Sequence, residues 1–326
     1  STRLPRAIRD VYNRQVLGLG MLAPFARDEQ EVDLMMNTAA PIWDGNETWL
    51  VLGGAGLFAA FPTAYAVILS GLYLPVLLMV MALVFRGVAF EFRFKAHRSR
   101  RLWTLSFIGG SMLTAFAQGI ILGALVEGMA LDNGRYVGGV FGWFSPFTIL
   151  TGVALVFGYA LLGSTWLILK TDGRTHELAR QLTRPLVGVV VAFMVLVSAW
   201  LPFLSSHVMA RWFEHGNFWW LSPIPVITAV VAMLLWRAGN TSRNHASPFL
   251  LTLAIFVLGF IGLVLGMWPY LVPPSYTIWQ AAAPPSSQIF PMVGLIVLLP
   301  LVLGYTAWSY RVFRGKIAAD VGYHHH

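Results

Sequence analysis

The sequence predicts an all-α protein, a polytopic bundle of transmembrane helices that forms a single integral-membrane domain over residues 1–326. Composition is the first observation: 57% of the residues are hydrophobic and 11% are charged, whereas soluble domains carry about 25% charged residues. The second is a series of eight apolar runs. Most of them are close in length to a membrane-spanning helix, which needs about 20 residues to cross a bilayer core. The third is an uneven distribution of basic residues among the gaps between these runs.

Each apolar run is predicted to be one spanning helix. The eight runs are 42–61, 63–85, 103–126, 145–169, 185–205, 223–236, 248–270 and 290–310. Pro62 separates the first two with almost no loop, which predicts a tight helical hairpin because proline interrupts the backbone hydrogen-bond ladder. The sixth run is short and begins between Pro223 and Pro225. Residues 1–16 form an atypical polar and basic N-terminal segment, and the histidines 324–326 are interpreted as the remnant of a purification tag.

The basic residues predict the orientation of the bundle. Twenty of the 22 lysine and arginine residues fall in one set of alternate gaps, and only Arg135 and Arg211 fall in the other. Because cytoplasmic loops carry an excess of Lys and Arg, the gaps at 86–102 and 170–184 and the C-terminus are predicted to be cytoplasmic. A net charge of +8 could also suggest nucleic acid as a partner. That interpretation needs a clustered basic face with a binding motif, and neither is present in the sequence.

Two gaps on the side predicted to be external, 212–223 and 268–288, are rich in Trp, Tyr and Pro. Aromatic residues at this position usually anchor a protein at the membrane interface; contact with a quinone or a partner protein is the alternative. The glycine-containing stretches GLGMLAP (18–24) and GGAGLF (53–58) lie in or beside apolar helix. They predict close helix packing, because small residues let helix backbones approach each other in lipid.

Side chains that could hold haem or metal are scarce in the predicted spans. The chain has no cysteine, which excludes a disulfide framework, a thiolate metal site and a cysteine nucleophile. All native histidines lie in gaps: His97, His176, His207, His215 and His245. Methionine can be an axial haem ligand, but without a histidine partner at membrane depth it is more often a packing residue. The chain is therefore predicted to bind neither haem iron nor another metal by itself.

The stretch PIWDGNETWL (41–50) places Asp44 and Glu47 at the start of the first predicted span. Residues three apart share a helix face, and two neighbouring carboxylates in a low dielectric do not both ionise easily. The pair could therefore share a proton and serve in proton uptake, as intramembrane acids often do. The alternative is a helix-end feature, in which Pro41 starts the helix and two acids face the positive end of its dipole.

The segment RDEQEVDLMMNTAAPIWDGNETWLVLGGAGLFAAFP (27–62) resembles subunit II of cytochrome bd-type quinol oxidases, in the variant with NETW after WDG that cyanide-insensitive oxidases carry. The likeness continues in 85–93, 145–152 and 273–288, and covers nearly the whole chain from about Leu17. It implies a haem-free subunit II of a membrane quinol:oxygen oxidoreductase. The partner, subunit I, would hold the haem b and haem d groups and the quinol site. Together they would oxidise ubiquinol or menaquinol and reduce O2 to water without pumping protons.

The resemblance also implies site residues. The motif carries over onto Trp43, Asp44, Gly45 and Asn46 and, in this variant, Glu47 and Trp49. Arg86 and Glu91 match the family's FR…FEFR segment less specifically. The resemblance implies that Asp44 and Glu47 take up cytoplasmic protons and that the subunit supports haem assembly in the complex. It further implies location in the bacterial cytoplasmic (inner) membrane.

One departure from the family concerns the N-terminus. The family has nine spans in this subunit, whereas eight are visible here, because its first helix is absent or altered and only LGLGML (17–22) is kept. The acids of that helix cannot be carried over. The resemblance leaves open the quinone type, a structural quinone or lipid in this subunit, and a small accessory subunit.

Two other functions remain to be weighed against an oxidase subunit. An all-helical membrane chain with an acidic pair could be a transporter or channel that uses Asp44 and Glu47. It could also be a purely structural partner that stabilises subunit I. Haem absorption of the purified complex separates the oxidase from the transporter, and substitution of Asp44 separates an active partner from a scaffold.

Overall fold

The computed structural model describes residues 15–39, 43–96, 98–204, 206–213, 217–241, 245–312 and 316. Within these residues thirteen α-helices follow one another, with a 3-10 turn at Ala23–Phe25 after the first. The helices are α1 (Gln15–Leu22), α2 (Glu29–Ala39), α3 (Trp43–Ala60), α4 (Pro62–Arg93), α5 (Arg100–Glu127), α6 (Pro146–Lys170), α7 (Gly173–Leu204), α8 (Ser206–Phe213), α9 (Asn217–Leu221), α10 (Pro223–Thr241), α11 (Ser247–Met267), α12 (Ile278–Ala281) and α13 (Pro285–Val312). The all-α prediction is confirmed, with two small additions.

The additions are two short antiparallel hairpins that the sequence did not predict. One pairs β1 (Leu131–Asp132) with β2 (Arg135–Tyr136), and the other pairs β3 (Tyr270–Val272) with β4 (Tyr276–Thr277). Asn133 and Gly134 turn the first hairpin with φ values of 47° and 77°. An Asn-Gly pair is the residue choice that a two-residue turn with two positive φ angles favours. Both hairpins lie in gaps, so they leave the helical bundle itself unchanged.

Local sequence explains where several helices begin and bend. Pro62 starts α4 directly after Phe61, so α3 and α4 are separated by a single residue, as the hairpin prediction required. Within α4, Leu72 leaves helical geometry (φ −116°, ψ 17°) three residues before Pro75, because proline disrupts the turn that precedes it. At α6, the N-cap residue Ser145 directly precedes Pro146 and forms a capping box with Thr148. The capping box satisfies free N–H groups of the first turn.

Seven of the described helices are long and apolar enough to cross a membrane. The predicted boundaries need correction in the fifth and sixth spans, whereas the first predicted span, 42–61, corresponds to α3 (Trp43–Ala60). The fifth span begins at Gly173 rather than 185, because its polar first turns are helical although they are not hydrophobic. The sixth is not short: α9 and α10 together give the span Asn217–Gly239.

The helices α4, α5, α6 and α7 pack in sequence order, and α1 lies against α5 and α6. Gly18 of α1 explains this close approach, since a Cβ atom there would lie 1.9 Å from the carbonyl oxygen of Tyr159. The packing role predicted for the GLGMLAP glycines is thus confirmed. It is not confirmed for GGAGLF, because a Cβ on Gly53, Gly54 or Gly56 meets nothing within 4 Å in the described part of the chain.

The gaps between spans gather at two ends of the bundle. At one, which we call the basic end, Arg93 pairs with Asp33, Arg174 with Glu31 and Lys316 with Asp172. At the other, the hairpin end, the amide N–H of Met129 donates to Pro273 (3.4 Å) and that of Ala283 donates to Ala60 (2.9 Å). These contacts agree with the grouping of gaps that the basic residues predicted.

Candidate functional site

The WDGNETW motif forms the beginning of α3, at the basic end of the bundle. The helix begins at Trp43, which places Asp44, Gly45, Asn46 and Glu47 in its first two turns. The three-residue spacing sets the two acids on adjacent positions of one helix face. The side chains of 43–47 lie outside the described part of the structure. Trp49 is half-buried.

The helix α2 holds the chain immediately before this motif. One face of α2 is buried in the main hydrophobic core, through Val32, Met35, Met36 and Ala39. The indole N–H of Trp166 in α6 donates to the hydroxyl oxygen of Thr38 (3.2 Å), whose own O–H donates to the Met35 carbonyl (2.7 Å). Because three residues separate the end of α2 from Trp43, the docking of α2 restricts where α3 can begin.

The polar face of α2 joins an ion network with α4 and α5. Arg93 is 0% exposed; its Nη1 donates to Asp33, and its Nε donates to the Thr104 hydroxyl at 2.8 Å. Arg100 donates from Nη2 to the second oxygen of Asp33 and lies 2.7 Å from Glu29 through Nε. One carboxylate therefore bridges two guanidinium groups. Since arginine stays charged when buried, these pairs are what make the burial of Arg93 tolerable.

A second set of contacts fixes the first turn of α2. The side chain of Asp28 accepts from the backbone N–H of Glu31 (2.8 Å), and the Glu31 carboxylate accepts from the N–H of Arg27 (2.9 Å). Glu31 also lies 3.4 Å from Arg174 Nε in α7. Acids in a first helical turn interact favourably with the positive end of the helix dipole. The contacts tie α2 to α7 as well as to α4 and α5.

The structure separates the two residues predicted from the FR…FEFR segment. Arg86 is 3% exposed and lies between α4 and α5, with its guanidinium carbon 6.0 Å from the centre of the Phe107 ring. Glu91, in the same helix, is exposed. It is Arg93 of this segment that joins the ion network. Sequence reasoning missed this role, although the acidic run at 28–33 and the basic run at 93–101 carried the signal.

Two histidines, His176 and His245, lie together at the basic end. His176 and His245 have ring centres 4.9 Å apart, and Nδ1 of His176 lies 3.1 Å from the Ile168 carbonyl oxygen. His176 was predicted in a gap, but it lies at the start of α7, N-terminal to the predicted span. Within the described residues, no three His, Asp or Glu side chains are grouped so that they could hold a metal ion.

Two groups outside the spans have shifted proton affinities. The pKa of Asp172 is lowered, chiefly because Lys316 donates a hydrogen bond to its carboxylate. That pair ties the C-terminal segment to the turn between α6 and α7. Burial raises the pKa of Tyr136 in β2. Neither group belongs to the WDGNETW motif.

Helices of this length and apolarity define the chain as a multispanning membrane protein. The model of the family described as "Cytochrome bd terminal oxidase subunit II" matches residues 15–313, and the chain therefore belongs to this family. The family predicted from the 27–62 segment is thus confirmed, and with it membership of a terminal oxidase complex as one subunit.

Two relatives and one solved structure show the extent of the similarity. The chain is 29% identical over 343 residues to the Escherichia coli K12 protein named cytochrome bd-I ubiquinol oxidase subunit 2, covering 93% of this chain and 90% of that protein. It is 29% identical over 311 residues to cytochrome bd ubiquinol oxidase subunit 2 of Bacillus subtilis, covering 92% and 90%. The fold matches a chain of the bd oxidase from Geobacillus thermodenitrificans with a TM-score of 0.77 at 19% identity, over 94% of this chain and 96% of that one. The last comparison shows the shared fold.

Proposed function

We propose that this chain is the haem-free subunit II of a quinol:oxygen oxidoreductase, and that Asp44 with Glu47 takes up protons at its basic end. The observation that carries the proposal is the docking of α2. Its buried apolar face and its ion pairs with Arg93 and Arg100 hold α2, which ends at Ala39, shortly before Asp44 in the sequence. A group that relays protons has to be held in a fixed position relative to its acceptor. The docking of α2 supports a fixed position for the start of α3.

The substrate class follows from the relatives. The E. coli and B. subtilis proteins are named ubiquinol oxidases, so we take a membrane quinol as reductant and O2 as oxidant. Reduction of O2 to water consumes protons, and an apolar bundle offers them no path unless acids and water supply one. Asp44 and Glu47 are acids in the first two turns of α3, in a segment that the family match covers. We assign to them the acceptance of protons from the cytoplasm.

We further propose that subunit I packs on the edge formed by α3 and α13. These helices pack on each other. In the apolar stretch of α13, 6% is buried within the chain, compared with 67% in the apolar stretch of α6. Gly53, Gly54 and Gly56 leave open space along α3, which would let a partner helix approach closely. Large exposed side chains such as Phe58 and Phe290 supply apolar surface for the contact.

The remaining assignments are proposals of the same kind. Haem b and haem d belong to subunit I, and this chain supports their assembly by packing against it. A small accessory subunit, a structural quinone or membrane lipid could complete the complex. The distribution of 20 of the 22 basic residues supports insertion in the bacterial inner membrane with the C-terminus in the cytoplasm. We propose that the chain forms a single integral-membrane domain.

Asp44→Asn tests the proton-uptake role. Asparagine keeps the shape and the capping oxygen but has no exchangeable acidic proton. We expect the complex to assemble with normal haem absorption and to lose most of its quinol-driven O2 consumption. Glu47→Gln should lose less, because the family resemblance of this motif implies that glutamine is tolerated at this place. Glu177→Gln is the matched control, since Glu177 is an exposed acid of α7 at the same end of the bundle, and it should leave turnover unchanged.

The refuting result is also defined. If Asp44→Asn assembles and consumes O2 at the unmodified rate across the range from about pH 6 to about pH 8, the acids are only a helix-end feature. The chain would then be the structural partner of subunit I. Absence of haem absorption from the purified complex would instead favour the transporter or channel alternative.

A further inference from the structure

A cavity of about 190 Å³ lies at the hairpin end, away from the WDGNETW motif. It is formed where the C-terminal end of α5, the short helix α8 and the turn after α11 meet. Its wall includes the aliphatic side chains of Val126, Val208 and Met267, the aromatic side chains of Trp268 and Tyr270, and one cation, Arg211. The cavity thus combines a single positive charge with apolar and aromatic surface.

Arg211 is unusual in this position. Its Nε atom is buried and has no hydrogen-bond partner among the described residues. Arg211 and Arg135 are the two basic residues in the gaps of the hairpin end, and Arg135 is exposed on β2. A buried guanidinium N–H without a partner is costly. A ligand with an anionic oxygen would remove that cost.

The size of the cavity limits what can enter it. A water molecule occupies about 30 Å³ in the liquid, so 190 Å³ corresponds to about six waters. This accommodates a phosphate group with a few attached atoms, but not an entire lipid. Any long apolar part of the ligand must therefore lie outside the cavity, on the surface of the bundle.

Such a surface continues from the cavity along α11. Val264 and Phe260 precede Met267 by three and seven residues, which places all three on one helix face. Val264 and Phe260 are both exposed. At the cavity itself, Trp268 and Tyr270 are residue types that concentrate at the membrane–water interface. The cation thus lies at the depth of lipid headgroups, and an apolar track leads from it towards the membrane interior.

We propose that this cavity binds the phosphate of a membrane phospholipid, paired with Arg211, while the acyl chains follow the α11 face. The guanidinium fork matches phosphate oxygens and forms two parallel charge-assisted hydrogen bonds with them. The described residues that line the cavity include no carboxylate. A lipid whose headgroup carries no ammonium should therefore bind better than a zwitterionic lipid. The site is independent of the proposed proton uptake, because it lies at the opposite end of the bundle.

The test compares the membrane complex containing the full chain with its Arg211→Gln and Arg211→Lys variants. Arg135→Gln is the matched control, since it removes the other basic side chain of the same end. Phospholipid retained after detergent purification is counted by native mass spectrometry. The unmodified complex and Arg135→Gln should retain one more phospholipid than Arg211→Gln, and Arg211→Lys should retain it in part, because lysine keeps the charge but not the fork.

Added lipid identifies the source of the anion. Phosphatidylglycerol should raise the thermal unfolding midpoint of the unmodified complex and of Arg135→Gln, at a concentration about tenfold or more below that required by Arg211→Gln. Phosphatidylcholine should act more weakly than phosphatidylglycerol. If inorganic phosphate alone reproduces the whole effect, the site takes a free anion and the lipid assignment is overturned. Loss of a quinone rather than a phospholipid from Arg211→Gln overturns it as well.

Glu214 provides the last discrimination, because it follows Arg211 by three residues in the sequence. Lipid loss in Arg211→Gln but not in Glu214→Gln supports the proposal. If Arg211→Gln and Glu214→Gln lower the unfolding midpoint equally and leave the phospholipid count unchanged, Arg211 is neutralised within the chain. That result refutes the site, whatever the turnover of the complex.

Discussion

The Asp33→Asn substitution should release α2 from the bundle without changing any residue of the WDGNETW motif. Asparagine keeps the size of the side chain but removes the charge that Arg93 and Arg100 share. Arg93 is 0% exposed, and loss of one partner from a buried ion pair costs about 3–5 kcal/mol. Asp33 is 27% exposed, and Arg93 keeps its hydrogen bond to Thr104. We therefore expect a cost of about 2–3 kcal/mol.

That cost converts to an about 30- to 150-fold larger population of molecules in which α2 is undocked. Amide hydrogen exchange of residues 29–39 measures this population directly, and exchange in α6 serves as an internal reference. Undocking should also lower quinol oxidase turnover, because the chain before Asp44 loses its anchor. Restoring an apolar pair should recover stability, since hydrophobic replacement of a buried ion pair is often neutral. The Asp33→Leu, Arg93→Met double variant should thus be less destabilised than either single variant.

The reasoning is refuted if Asp33→Asn leaves the exchange of residues 29–39 unchanged. It is equally refuted if exchange rises by the expected factor while turnover stays at the unmodified rate. In the first case the ion network would not be what holds α2. In the second case the position of α2 would not matter for the site.

Two further predictions concern packing and pH. Gly18→Ala should lower the yield of assembled complex, because its Cβ would lie 1.9 Å from the Tyr159 carbonyl oxygen and overpacking of this kind costs about 3 kcal/mol. Gly259→Ala, with nothing within 4 Å, is the control, and equal yields would contradict the packing role. Asp172→Asn should free the C-terminal segment, which Lys316 ties to the turn between α6 and α7, measured as faster trypsin cleavage after Lys316. Pairing with Lys316 lowers the pKa of Asp172. The pair therefore stabilises the attachment of the C-terminal segment at pH values above the ordinary pKa of about 3.9. This stabilisation is lost as pH falls through the lowered pKa. Cleavage after Lys316 in the unmodified chain, measured relative to a free peptide substrate of trypsin, that changed between about pH 6 and about pH 8 would contradict this assignment.

The sequence by itself determined the fold class, the family and the grouping of gaps into two ends. These features depend on local properties: a run of apolar residues is long enough to cross a bilayer or it is not, and basic residues are counted gap by gap. The WDGNETW motif could be located at a helix start for the same reason, and the structure begins α3 at Trp43. Hydrophobicity misplaced two boundaries, at the polar first turns of α7 and at the start of the sixth span.

Tertiary structure decided which charged residues meet. Arg93 and Asp33 are 60 positions apart, and nothing in the periodicity of either segment distinguishes Arg93 from its exposed neighbour Glu91. The Arg211 cavity likewise needs three separate segments to close around one side chain. Burial and pairing of a charge depend on which helices are neighbours and on how they are rotated. Those are properties of the packed bundle, because the cost of an unpaired buried charge arises only after packing has removed water from it.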